Sequence, residues 1–116
     1  MSIFDQRNQK VNYQYNVNGV INFGNVQNRI DVVEELRKLQ DEVAKATESG
    51  ALDAEISTDV EANIKKAIIQ SQKPEPDKKT ITNYLEQAKT LLSNIALVAG
   101  LVKGISEAIE IVRKFF

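Results

Sequence analysis

The chain has 116 residues, 42% of them hydrophobic, with fifteen basic against sixteen acidic side chains and a formal charge of −1. That length fits one domain with a modest core, and the near-balanced charge gives no electrostatic reason to expect nucleic acid or anionic lipid as a partner. Cysteine and histidine are both absent, which removes disulfides, thiolate metal sites and the commonest general base near neutral pH, so catalytic, cofactor and metal sites are not expected.

The first ten residues, MSIFDQRNQK, hold no apolar run of signal-peptide length, and a cytoplasmic location is expected. Residues 11 to 27 carry no charge at all, and residues 1 to 28 hold seven Asn, four Gln and four of the seven aromatics. From Val11 to Asn18 apolar and amide side chains alternate, the period of a strand with two unlike faces. Asn18-Gly19 follows, a dipeptide that tolerates the positive φ angles of a type I′ turn. The pattern predicts a β-hairpin of about Val11–Val17 and Val20–Val26. In that register Ile21 and Phe23 fall on the face opposite Tyr13 and Tyr15, so neither face is cleanly polar and the ribbon needs cover on both sides.

The period changes at Asn28. Val32, Leu36, Leu39, Val43 and Ala46 follow alternating spacings of four and three, the seam of a packed helix. Asp31 or Asn28 suits its cap, Gly50 its end, and Glu34–Lys38 and Asp41–Lys45 have the favourable i, i+4 orientation. A second helix is predicted over Thr58 to Gln72, with Val60, Ile64, Ala67, Ile68 and Ser71 on one stripe and Thr58 with Glu61 spaced as a capping box. KPEPDKK then breaks the pattern through its two prolines, and Asp77 can cap the next helix.

From Lys78 a third seam runs through Ile81, Leu85, Ala88, Leu92, Ile95, Ala99 and Val102, then on to Ile105, Ile109, Val112 and Phe116. As one helix it measures roughly 57 Å at 1.5 Å per residue. The first two helices cannot flank all of that. Either it breaks near Ser93-Asn94 or Gly100, or its far end packs on another chain. The predicted architecture is mainly α: an N-terminal hairpin segment (1–28), then a three- or four-helix antiparallel bundle (29–116) with a long C-terminal helix.

Charge is unevenly distributed: ten acids and three bases from Asp31 to Glu61, seven bases and three acids from Ala62 to Lys103. These faces are expected to complement one another within or between subunits. Lys65, Lys66, Lys73, Lys78 and Lys79 surround the proline break, but Glu75 and Asp77 interrupt them and no aromatic is interleaved, so they read as a solvated turn and not a phosphate contact.

Two features point to self-association. Ala96, Gly100, Gly104 and Ala108 recur at strict four-residue intervals, a smooth ridge whose internal glycines each cost about 1 kcal/mol relative to alanine and so require a packing reason, within the chain or between chains. The uncharged strands, with Tyr13, Tyr15, Asn16, Asn18, Gly19, Ile21, Asn22 and Phe23, suit homotypic pairing in which amides stack in register. A transmembrane span is not expected, because the apolar run Ile95–Val102 is only eight residues and Lys103 comes next. The alternative is a membrane-perturbing final helix, with Lys103, Arg113 and Lys114 at headgroups and Phe115-Phe116 as its apolar end, inserting after the strands assemble.

The segment QYNVNGVINFGNV, through Gln14, Asn16, Asn18, Gly19, Asn22, Phe23, Gly24 and Asn25, resembles the short Asn/Gly-rich strand motifs beside small helical domains in bacterial NLR-type immunity and programmed-death proteins, including amyloid signalling motifs. The helical remainder is similar to tails of bacterial effector-associated proteins. The resemblance implies a non-enzymatic adaptor or oligomerising module in bacterial conflict signalling, a homo-oligomer able to engage a protein partner with a similar strand motif.

Overall fold

The structure, a computed structural model, describes residues 26–116. It contains four helices, α1 (Arg29–Glu48), α2 (Ala54–Ser71), α3 (Lys78–Leu92) and α4 (Ala99–Phe115), with a 3₁₀ turn at Ala96–Val98 before the last. Each helix packs on its neighbour in sequence, and α4 returns to α1. Short connections make successive helices antiparallel, so the helical part is an up-down-up-down four-helix bundle. The expected hairpin lies outside the described residues.

Local chemistry explains each helix start. Asn28 has an extended backbone (φ −156, ψ 176), and its Oδ1 accepts the Asp31 N–H at 2.9 Å. The Asp31 carboxylate in turn accepts the Gln27 N–H at 3.0 Å, so one orphan donor of the helix and the N–H of the residue before the cap are both satisfied. Gly50, at φ +86, ends α1 as expected of a left-handed terminator, and the Ala51 and Leu52 N–H groups both return to the Ala46 carbonyl.

The start of α2 differs from the sequence expectation. Asp53 is the N-cap, its carboxylate accepting the Glu55 and Ile56 N–H groups at 3.1 and 3.4 Å. The expected capping box at Thr58 does not form: Thr58 sits inside the helix with its hydroxyl on the Ala54 carbonyl at 2.9 Å, and Glu61 accepts from Ser57. A cap must have non-helical backbone, and the acid at Asp53 supplies one a full turn earlier. Asp77 precedes α3 as expected, and its carboxylate accepts the Thr80 hydroxyl.

Of the alternatives left open for residues 78–116, the structure takes the break near Ser93-Asn94: there are two helices, α3 and α4, separated by Ser93–Val98, and not one long C-terminal helix. Folding back lets α4 bury Leu101, Ile105, Ile109 and Val112 against α3 and α1, which a straight extension past the bundle would leave in water. Burial of each such side chain contributes about 1.5–3 kcal/mol. The core is otherwise the one the seams predict: Val32, Leu36, Leu39, Val43, Val60, Ile64, Ile81, Leu85 and Leu92 are fully buried.

The ion pairs also shift. Lys38 bonds Glu35 at 2.9 Å and Lys45 bonds Glu42 at 3.3 Å, both at i, i+3, in place of the expected Glu34 and Asp41 partners. Glu35 and Glu42 are buried, and a carboxylate removed from water holds a nearby ammonium more strongly than an exposed one does. Among the described residues no ion pair joins the acidic stretch to the basic one.

Candidate interaction surfaces

The expected self-association residues Tyr13, Tyr15, Asn16, Asn18, Gly19, Ile21, Asn22 and Phe23 lie outside the described residues. What the structure does describe is how that segment is joined to the bundle. Val26 is buried among the core residues, only 9% exposed. Gln27 and Asn28 are fixed by the reciprocal cap on Asp31. The bundle therefore holds the chain from Val26 onward.

Beside this junction the end of α4 is pinned. Arg29 Nε donates to the Phe115 carbonyl at 2.8 Å, and its guanidinium lies 5.0 Å from the centroid of the Phe116 ring. The last carbonyls of a helix have no internal donor and carry partial negative charge, so a cation there is doubly suited. The junction, the start of α1 and the end of α4 thus form one end of the bundle. Ile30 is 71% exposed at that end. A cleft of about 350 Å³ runs beside it, between Arg29, Ile30 and Arg37 of α1 and Gln72 after α2. Sequence patterning points to neither Arg29 nor Ile30, because both fall outside the α1 seam.

The four-residue ridge is divided by the fold. Gly104 and Ala108 are buried, and a Cβ on Gly104 would stand 3.4 Å from Leu39 Cδ1, so these two positions let α4 lie close to α1. Gly100 is half-buried, and Ala96 sits exposed in the 3₁₀ turn, off the helix that carries the other three. The structure does not bring the four together as one open strip.

A wider groove of about 560 Å³ lies between α2 and α3, with Asp59, Lys66 and Glu86 along it and Leu91 at its apolar part. Lys66 is held there over the Tyr84 ring at 5.7 Å. The remaining lysines of the cluster, Lys65, Lys73, Lys78 and Lys79, are exposed. Among the described residues no group of His, Cys, Asp or Glu is placed to hold a metal ion, and no helix is long and apolar enough to cross a membrane. The apolar stripe of α4 that an inserting helix would present is occupied in the core.

Scans against models of known families, curated proteins and solved structures give no match.

Proposed function

We propose that this chain is a non-enzymatic, homo-oligomerising interaction module in which the four-helix bundle is a rigid base and residues 1–25 are the pairing element. The observation that carries the reading is the junction. Val26 is buried in the bundle core and the next residues are locked by the Asn28–Asp31 cap, so the neutral amide-rich segment is joined to the bundle at a fixed point. A pairing strand on a rigid base loses less freedom on assembly than one on a flexible tether, and more of its contact energy appears as affinity. The segment itself has the composition that stacks with copies of itself: no charge over residues 11–27 and a high share of amides. Its resemblance to strand motifs of bacterial immunity proteins supports an adaptor role in conflict signalling, with a protein carrying a similar motif as the partner.

The test places like charge in the segment. Ile21→Lys with Phe23→Lys in the full chain stacks lysines in every homotypic pairing, where like charges directly opposite are destabilising. The expected result is loss of every species larger than two chains in light scattering with unchanged helical circular dichroism. Assembly beyond a two-chain species that survives both lysines would assign it elsewhere and overturn the reading.

A further inference from the structure

Sequence and structure diverge at three neighbouring seam positions. Ile81, Leu85, Ala88 and Leu92 of α3 are buried, as are Ile105, Ile109 and Val112 of α4, all on one continuous apolar seam. Between them Ile95 and Val102 are only half-buried and Ala99 is exposed, while Val98 and Leu101 take the core positions. Leu97 stands 41% exposed beside them. The bend therefore rotates the chain out of its own pattern for about two turns, leaving Leu97 and Ala99 exposed and Ile95 and Val102 only partly covered at the edge of the core.

Few polar contacts hold the bend: the Ser93 hydroxyl donates to the Thr90 carbonyl at 3.0 Å, and Val98 is fixed by burial. Ser93 still has right-handed helical geometry (φ −66, ψ −20), as does Ala99 (φ −56, ψ −32), whereas Ile95 (φ −109, ψ 101) and Val98 (φ −112, ψ 27) depart from it. No Gly or Pro lies between Asp77 and Ala99. Neither the 3₁₀ turn nor α4 has a side-chain N-cap. The N–H groups of Ile95 and Val98 bond three residues back, to Leu92 at 3.0 Å and Ile95 at 3.2 Å, and in a continuous helix each has an acceptor four residues back instead. Among the described residues, the hydrogen bond from Arg29 to the Phe115 carbonyl is the one polar side-chain tie between α4 and another helix. Among the described residues the rest of what holds α4 is apolar packing, which α1 and α3 of a second copy offer identically.

We infer that Ser93–Val98 is a hinge with two settings, bent as here with α4 on its own bundle, and straight with α3 and α4 joined in one helix whose α4 half packs on α1 and α3 of a second copy. The straight setting returns Ile95, Ala99 and Val102 to the seam, where the exchanged partner covers them. The core contacts of Ile105, Ile109 and Val112 and the Arg29 tie are the same in both, made within one chain or across two, and only the side chains at the hinge change places. The occupant of each bundle's fourth position is thus a second copy of this chain, supplied by its own α4.

The experiment uses spin labels on Lys79→Cys and Glu110→Cys in the full chain, which has no other cysteine. Both positions are exposed. Labelled chain is diluted into excess unlabelled chain, warmed through unfolding and recooled, so that only distances within one molecule are read. In the bent form the labels sit at neighbouring levels of two packed helices, about 10 Å between axes. In the straight form 31 residues of helix separate them by roughly 46 Å. The long distance is expected to grow as total concentration rises. Ala96→Pro is expected to abolish it: proline suits the first position of the 3₁₀ turn and the extended Ile95 before it, but interrupts a continuous helix. A short distance alone at every concentration overturns the inference, as does a long one undiminished by Ala96→Pro. Should that variant not fold, Ser93→Ala with Asn94→Ala must raise the long fraction, and no rise overturns it equally. Exchange runs through residues 93–115, so it persists in the Ile21→Lys, Phe23→Lys chain whether or not the segment drives assembly.

Discussion

Arg29, the first residue of α1, donates to the carbonyl of Phe115, the last residue of α4, at 2.8 Å and stacks its guanidinium over Phe116 at 5.0 Å. One side chain therefore closes the ring of four helices at the end where the amide-rich segment joins. A guanidinium is suited to this because its planar fork can donate to an oxygen while its face lies on a ring. Arg29→Ala is expected to lower the unfolding free energy by about 1 kcal/mol, the order of one exposed charged hydrogen bond together with a surface cation–π contact. Arg29→Lys is expected to recover less than half of it. Urea denaturation of the three chains checks the order.

The α1–α4 contact sets opposite signs for two substitutions at one position. Gly104 sits mid-helix, where alanine is favoured over glycine by about 1 kcal/mol. A Cβ there would meet Leu39 Cδ1 at 3.4 Å, an ordinary contact with the end of a side chain that can yield. Gly104→Ala is expected to stabilise by about 0.5–1 kcal/mol. Gly104→Val pushes a branched side chain into the same gap and is expected to destabilise by about 1–3 kcal/mol. Thermal melting of both variants reads the two directions.

The true start of α2 can be tested against the one its sequence suggests. Asp53→Ala removes the acceptor of two backbone N–H groups and is expected to destabilise by about 1 kcal/mol. Thr58→Ala removes an exposed hydroxyl that bonds only the Ala54 carbonyl, and a change within about 0.5 kcal/mol is expected. The reverse order of the two costs would restore the start at Thr58.

That contrast marks what the sequence makes legible. The seams of α1, α2 and α3 are readable because a helix must bury one stripe, and Val32, Leu36, Leu39, Ile64 and Leu85 sit where the spacing puts them. Asn28 and Gly50 are readable because so few residues serve at helix ends. The start of α2 misleads because Thr58-x-x-Glu61 fits a capping box by spacing alone, while the preceding turn, Ala54–Ser57, has too little apolar content to announce a helix. The bend at Ser93–Val98 is legible only as one of several alternatives, from a seam too long for two helices to flank, because it uses neither glycine nor proline and the apolar seam runs on through it. Of the ridge, Gly104 and Ala108 pack within the chain, which spacing does not distinguish from packing between chains. Arg29 finds Phe115 across 86 residues, and nothing local encodes that meeting.

Acid should loosen the α2–α3 corner in a defined direction. The hydrogen bond from the Thr80 hydroxyl, helped by backbone N–H groups of Lys79 and Thr80, holds the Asp77 carboxyl below its ordinary value of 3.8. A carboxyl whose folded pKa is depressed contributes stability in full above its unfolded pKa and loses it as pH falls through the folded one. Asp77→Asn removes that titration. The variant is therefore expected to show a shallower loss of stability than the parent chain below about pH 4, and the comparison is made by urea midpoints from neutral pH downward. Identical slopes would mean that Asp77 is not bonded as described.

Light scattering of the full chain across micromolar to high-micromolar concentration tests the proposal of a self-associating module most directly. The expected reading is a mass that rises above the 13.0 kDa of one chain towards multiples of it. A constant 13.0 kDa over the whole range would contradict the account.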